Sequence, residues 1–505
     1  MLRRFASDVA STSTAGRSMD KMRYRPVIGL EVHVQLNTRT KLFSRTLNTE
    51  GSPNRQVTPL DMATPGILPA LNKQCVMHAL KMGMLLKCEI PKKSRFDRKH
   101  YFYADMPAGY QITQNQRPIA KNGRFGFYVF DDSIEPYWKE AQIVQLQLEQ
   151  DSGKTIHVDK KSLIDYNRAG CALVEVVTSP CFSTALEAIC FVQQLRLILM
   201  NYGICDGELH KGHMRVDANV SLSFDGATGT RTEIKNMNSI RSIHTAINYE
   251  IARQFDILSN GGEVLNETRA ADSEGRTVSM RDKEVETDYR FMVEPNLPTL
   301  VIRDEWLNTC KNYLETTPKP KFEILRDDFG FDARSSIHIS EDAQLLKFVE
   351  NCVDFAAKSN FDLNSSIILG WMRELKTIMQ RSKSTYPPQS IFFIQQFVDL
   401  INFYENDRLT RLRMLDLLRV YACSEEVRNV EQLINDNDYW KISDKTKISK
   451  IVEEVLNNPT NEKLVEKFKN GHAKSFNKLR NSIVDFSNKR IEVENVERIL
   501  KEKVN

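Results

Sequence analysis

The sequence predicts an α+β protein, with a mostly antiparallel sheet domain followed by an all-α portion. Three observations predict it. From Tyr24 to about Pro320, apolar residues alternate with polar ones in short runs broken by glycine and proline turns. Beyond that point apolar residues recur at helical spacing, and after Gly330 only Gly370 and Gly471 remain. At 505 residues the chain is also too long for one core and suggests two or three domains.

Composition narrows the classes. The chain is 41% apolar and 27% charged, as in a soluble globular protein, and no apolar run approaches the ~20 residues of a membrane helix. Seventy Lys+Arg against 66 Asp+Glu leave +4, so any RNA binding rests on local patches rather than a global basic field. Nine scattered cysteines, none spaced C-x-x-C, argue for reduced thiols and against a disulfide scaffold.

The first segment, 1–23, reads as a mitochondrial transit peptide. Arg3, Arg4, Arg17, Lys21 and Arg23 lie among Ser and Thr, with Leu2, Phe5 and Val9 at helical spacing; Asp8 is atypical. "VIGLEVHVQL" (27–36) follows as a strand, with Ile28, Leu30, Val32, Val34 and Leu36 on one face and Gly29, Glu31, His33 and Gln35 on the other. "IVQLQLEQD" opposes Val144, Leu146 and Leu148 to Gln145, Gln147 and Glu149, while Glu175 interrupts the apolar "LVEVV". A helix is expected over Ser183 to about Tyr202, capped by Ser183 or Thr184, with a stripe of Leu186, Ile189, Leu195 and Ile198. "MRVDANVSLSF" alternates strictly, placing Arg215, Asp217, Asn219 and Ser221 together, and "RTEIK" aligns Arg231, Glu233 and Lys235.

After "TTPKPKF" (316–322) the texture turns helical. "STYPPQS" (384–390) breaks it once, and in "ISKIVEEVLNNP" Ile448, Ile451, Val452, Val455 and Leu456 mark one helix ended by Asn458 and Pro459. The last 39 residues hold ten Lys+Arg and five Asp+Glu, which is either a solvated face or an RNA-backbone patch.

Acids and amides that recur in mid-strand suggest a purpose beyond wetting a sheet. A lone charge at Glu175 among valines is costly, and a shared divalent cation removes the cost. Mg²⁺ suits such oxygen ligands, usually with water and substrate phosphate, and His33 either ligates or steadies a ligand. Ion-paired surface strands are the alternative. No P-loop, G-x-G-x-x-G, G-x-S-x-G or H-E-x-x-H motif is present.

The segments "GLEVHVQL", "KLFS", "PGILPALN", "RKHYFYADMPAGYQITQ", "LEQDSGK", "DYNRAGCALVEVVTSP", "MRVDANVSL", "RTEIKNMNSIRSI" and "SMRDKEVETDYRFMVEPNLP" occur in order. Together they resemble the B subunit of the aspartyl/glutamyl-tRNA amidotransferases, and the helical end resembles that family's tail. The resemblance implies a catalytic domain over 24–317 similar to the glutamine synthetase fold, a helical domain over 318–425 and a tRNA-binding tail over 426–505. It implies a carbon–nitrogen ligase acting in the mitochondrial matrix. ATP phosphorylates the glutamate of Glu-tRNA(Gln), and ammonia from a partner glutaminase, the amidase or A subunit, displaces the phosphate; a small third or C subunit completes the complex. By motif, Glu31, His33, Glu149, Glu175 and Asp217 take catalytic and Mg²⁺-binding roles, while Arg98, Lys99 and Tyr103 in "RKHYFY" are candidate substrate or phosphate contacts.

Departures from the family pattern qualify this. Gln147 and Gln150 stand where the family carries His and Glu in "HLEED", and a Gln150 ligand in place of Glu weakens metal binding. Asn296 replaces an acid. Around Ser44, Thr46, Thr58 and Asp61, relatives carry a four-cysteine zinc site; these residues predict no zinc. The rival readings are a scaffold that has lost the phosphorylation step and a free-standing tRNA-binding protein.

Overall fold

The computed structural model describes residues 24–503 apart from 50, 101, 225, 273, 281–288, 424–425 and 470–471, and apart from the side chain of 236. The expected transit peptide lies outside the described residues. The chain divides into two compact units, one ending at Lys321 and the other beginning at Phe322.

The first unit is built on strands β1 (Tyr24–Gln35), β2 (Lys93–His100), β3 (Tyr110–Arg117), β4 (Ala120–Val129), β5 (Tyr137–Gln150), β6 (Lys154–Val158) and β7 (Lys161–Asp165). They continue as β8 (Ala172–Thr178), β9 (Met214–Phe224), β10 (Thr232–Met237), β11 (Thr268–Ala271), β12 (Thr277–Ser279), β13 (Met292–Val293) and β14 (Leu300–Val301). Its helices are α1 (Lys73–Leu85), α2 (Ala185–Asn201), α3 (Ile240–Ser259) and α4 (Asp304–Thr316). Eight strands form one sheet in the order β12-β11-β10-β9-β1-β8-β5-β4, antiparallel except where β10 meets β11. A smaller sheet joins β13, β2 and β14, with β3 paired to β2, and β6 with β7 makes a hairpin.

Alternation decides which way the large sheet faces. Ile28, Val32 and Val34 of β1 are fully buried, as are Val174 and Val176 of β8 and Val216, Ala218 and Val220 of β9. Each such valine or isoleucine contributes about 1.5–3 kcal/mol relative to exposure. They share one cluster with α2 and α3, which cover that face, so the other face is free to carry polar groups.

Helix α2 begins where expected, with Thr184 as the cap accepting from Glu187 N. Its deepest side differs from the expected stripe: Ala188, Phe191, Val192, Leu195 and Leu199 are fully buried, while Leu186, Ile189 and Ile198 are only partly buried. The helix is apolar around most of its girth because α3 packs on it as well as the sheet, so an amphipathic stripe is the wrong template for it.

The second unit contains α5 (Lys321–Asp327), α6 (Ala333–Glu341), α7 (Ala343–Lys358), α8 (Ser365–Ser382), α9 (Ile391–Glu405), α10 (Arg411–Cys423) and α11 (Val430–Asp436). After these come α12 (Lys445–Leu456), α13 (Glu462–Lys469), α14 (Ala473–Phe486) and α15 (Val493–Glu502). Side chains of Asp332, Asp342, Asn364, Ser390, Asn429 and Asp444 cap their helices, as short polar residues with non-helical backbone do. "STYPPQS" separates α8 from α9. One buried cluster runs through Phe348, Leu375, Phe397 and Leu418, and another through Ile448, Val452, Leu479 and Val496. Ion pairs Lys489–Asp416 and Arg490–Asp438 link the two. In the basic terminal run, Lys467, Lys469, Lys474 and Lys478 stay exposed, whereas Arg480 pairs with Glu497. Among the described residues no helix is long and apolar enough to cross a membrane.

Candidate active site

Strand register assembles the polar face. Glu31 lies opposite Asp217 of β9, and His33 lies opposite Arg215 of β9 and Glu175 of β8. Gln147 of β5 lies opposite Glu175, Glu149 opposite Leu173, and Glu233 of β10 opposite Asn219. Directly opposed residues share a face. One surface therefore collects residues that are far apart in the chain.

Two clusters result. In the first, His33 Nε2 is 3.6 Å from Glu149 Oε1 and 4.0 Å from Glu175 Oε1. The second joins Glu31, Asp217 and Glu233, and within each cluster one ligand atom per residue lies within 4.8 Å of the others. The five residues expected to share a site thus divide between two clusters, and Glu233 completes the second. Octahedral Mg²⁺ with bonds of about 2.1 Å sets its donors roughly 3–4.2 Å apart. The distances from His33 in the first cluster fall inside that range.

Neighbours orient these ligands. Asn219 Nδ2 donates to Glu31 Oε1 at 3.0 Å, and Thr268 Oγ1 donates to Glu233 Oε2 at 3.0 Å. Thr113 Oγ1 of β3 lies 3.1 Å from Glu149 Oε2 and 3.2 Å from Gln147 Oε1. Lys235 Nζ stands 3.1 Å from Glu233 and 4.0 Å from Asp217. Arg215 Nη2 is 2.9 Å from Asp151 Oδ1.

Electrostatics favour a cation. Glu175 is held well above the usual carboxylate range, first by burial and then by Glu149 and Glu31. Burial likewise lowers His33, outweighing Glu149, so the imidazole stays neutral with a lone pair to offer. Six carboxylates (Glu31, Glu149, Asp151, Glu175, Asp217, Glu233) face the cations Lys99, Arg168, Arg215 and Lys235; ionised together they leave two negative charges. The donor set fits hard divalent cations.

The remaining expected residues are dispersed. The ammonium of Lys99 is within electrostatic range of Glu149 and Glu175; burial lowers its pKa, but those carboxylates win and raise it. Arg98 is engaged elsewhere, with Nε and Nη2 2.6 and 3.0 Å from the Glu294 carboxylate and its plane 4.1 Å from the Tyr110 ring. Tyr103 is exposed in the segment between β2 and β3. Asn296 donates its backbone N–H to Glu294.

Gln150 corrects an expectation. It pairs with Ala172, so it lies on the face opposite Glu149, and its amide nitrogen is 3.9 Å from Met106 Sδ. A side chain one position along a strand from a ligand points the other way. Gln150 therefore takes no ligand from either cluster. Ser44, Thr46 and Thr58 gather around Asp61, with hydroxyls 3.3, 3.2 and 2.9 Å from its carboxylate. The fully buried Lys41 lies 3.4 Å from Asp61 and supplies the positive charge there. Gly170, at φ +79°, passes so close that a Cβ would sit 2.7 Å from Asp61 Oδ1.

Arg215, Glu233 and Lys235 are visible in the sequence as members of polar faces, but nothing local says that β10 pairs with β9. Asp151 carries no such signal.

The family model described as the GatB/GatE catalytic domain matches residues 26–308, and that described as the GatB domain matches 348–504. The chain is 38% identical to the B subunit of the mitochondrial glutamyl-tRNA(Gln) amidotransferase of Danio rerio, over 90% of this chain and 85% of that protein. It is 37% identical to the Aedes aegypti mitochondrial counterpart, over 96% and 94%. To the B subunit of the aspartyl/glutamyl-tRNA(Asn/Gln) amidotransferase of Brachyspira hyodysenteriae it is 37% identical, over 90% and 94%.

Proposed function

Since the chain belongs to the GatB family, the B subunits of tRNA amidotransferases, we propose that its polar sheet face phosphorylates the glutamate of misacylated Glu-tRNA(Gln) with ATP. The observation that carries this reading is the pair of carboxylate clusters, one with a neutral histidine, on one half-buried face.

A carboxylate is a poor acyl donor because its oxygen is a poor leaving group. In the proposed reaction the glutamate oxygen attacks the γ-phosphorus and ADP departs. Ammonia then attacks the acyl carbon, and phosphate leaves with its electron pair to give Gln-tRNA(Gln). Glu31, Asp217 and Glu233 would hold one Mg²⁺, and His33, Glu149 and Glu175 another. Bound Mg²⁺ supplies charge neutralisation for the nucleotide phosphates. Thr113, Asn219 and Thr268 orient the ligands, and the ammoniums of Lys99 and Lys235 offset charge on the transferring group. The surroundings of Asp61, Lys41 and three hydroxyls, support the reading that no zinc binds there.

The ammonia comes from glutamine hydrolysed by the amidase partner, with the small third partner completing the complex, and exposed lysines of the terminal helices contact the tRNA backbone. The place of action is the mitochondrial matrix, a reading supported by the basic first 23 residues and the mitochondrial relatives. The scaffold alternative drew on Gln150, which lies off the ligand face.

The test is ATP hydrolysis by the reconstituted heterotrimer. Turnover should require Glu-tRNA(Gln) and fall at least ~10²-fold in Glu175→Gln. Hydrolysis unchanged in that variant refutes the metal centre, and full activity of the chain without its partners refutes the complex.

A further inference from the structure

Arg215 lies beside His33 on the face that carries both clusters, and as a guanidinium it is no metal ligand. Its side chain is 16% exposed, so it opens onto that face while largely desolvated. Glu149 and Asp217 are both within electrostatic range of its charge. Asp151 engages one nitrogen, Nη2, at 2.9 Å. A guanidinium offers five N–H donors in a planar fork, so a single carboxylate contact leaves most of them directed elsewhere.

Asp151 is itself fixed. Its side chain is 4% exposed, and Arg168 Nε lies 3.4 Å from its Oδ2. Arg168 in turn donates to the carbonyls of Ser152 and Gly153 at 3.0 and 2.7 Å. The Asp151 backbone is bonded to Cys171 O and Gly170 N. Arg168 places a second positive charge near Asp151, yet its Nε donates to Ser152 O and Asp151 Oδ2 lacks a hydrogen bond among the described residues, so the carboxylate engages Arg215 and the Ser152 N–H through Oδ1. A fork held from behind by a buried carboxylate is a preorganised one.

We propose that Arg215 is a further catalytic residue, its guanidinium gripping the phosphoryl group in transfer, with Asp151 and Arg168 as the positioning residues that aim it. The inference rests on the phosphorylation reading above. The step is the same displacement: the glutamate oxygen forms a bond to the γ-phosphorus as the bond to the bridging oxygen breaks, and the electron pair leaves on ADP. Arg215 neither gains nor loses a proton. A planar fork matches two phosphoryl oxygens, which a lysine ammonium does not.

The test uses the heterotrimer with ATP, Mg²⁺ and Glu-tRNA(Gln), and Mn²⁺ as the probe of metal binding. Arg215→Ala should lower kcat for ATP hydrolysis by ~10³-fold, with KM for ATP changed far less. Arg215→Lys should recover little of it, while added guanidinium should restore part of the Arg215→Ala rate. Asp151→Asn, which keeps the cation but loosens its anchor, should lower kcat by ~10-fold. Mn²⁺ affinity should stay within about 3-fold of wild type in all three, since none removes a ligand. A rise in KM with kcat unchanged overturns the proposal. So does a loss of Mn²⁺ binding that tracks the loss of rate, or full activity in Arg215→Lys. A wild-type complex with no tRNA-dependent hydrolysis removes the parent reading instead, and the role of Arg215 falls with it.

Discussion

Glu175 stands among valines in β8, and burial together with Glu149 and Glu31 makes its ionisation unfavourable unless a cation arrives. Glu233 is the cluster member most dependent on tertiary structure, because it reaches Glu31 and Asp217 only through the β9–β10 pairing. Glu233→Gln should weaken Mn²⁺ binding at least ~10-fold while leaving the fold intact, measured by titration and thermal unfolding. Gln150→Glu is the complementary case. It adds an acid, but on the face away from the clusters, so metal affinity should not rise. A markedly tighter site in that variant would overturn the assignment of faces. At this scale the sequence is informative where strict alternation holds, for Glu31, His33, Glu149 and Asp217, and where a charge interrupts an apolar run, for Glu175; all five reach one face. It could not say that they form two clusters, because that division depends on strand order. Gln150 follows Glu149 in the motif but points to the opposite face of the strand, because successive side chains alternate.

At the scale of single elements, α2 shows how local chemistry fixes a boundary. Thr184 Oγ1 accepts from Glu187 N at 3.1 Å, and Glu187 Oε2 accepts from Ser183 N at 2.6 Å, a reciprocal arrangement close to a capping box. Burial pushes the Glu187 carboxyl up, but donors from Lys139, Ser183 and Tyr137 outweigh it and hold the pKa below its ordinary value. Its stabilising contribution is therefore complete above the unfolded carboxylate value, about 4.3, and is lost as pH falls through the lower folded value. Thr184→Ala should cost about 1 kcal/mol at neutral pH. Glu187→Gln should show a deficit at neutral pH that shrinks below about pH 4, followed by chemical denaturation at both values. A deficit independent of pH would mean that Glu187 acts by packing alone. The cap was readable in sequence. The buried side of α2 was not, because a helix covered on two sides loses the periodicity that identifies a face.

Across the whole molecule, two compact units each carry buried clusters of their own. The change of texture after residue 316 is the sequence counterpart of that division: alternation supports a sheet, and helical spacing with few glycines supports bundles. Both ligand clusters belong to the first unit, so a cation that binds the native face stabilises that unit directly. Binding to the native state alone adds RT ln(1 + [L]/Kd), about 2.7 kcal/mol at a hundredfold excess over Kd. Thermal unfolding of the chain should therefore show two transitions, of which Mg²⁺ raises only one. The same transition should lose its Mg²⁺ response in Glu175→Gln, and the other should be unaffected by either change. Because Glu175 must give up a proton to ligate and its pKa is raised, the Mg²⁺-induced shift should also grow as pH rises above the ordinary carboxylate range. Calorimetry with and without Mg²⁺ reads all three effects. A shift of both transitions, or of neither, would contradict a metal centre confined to the polar face of the first unit.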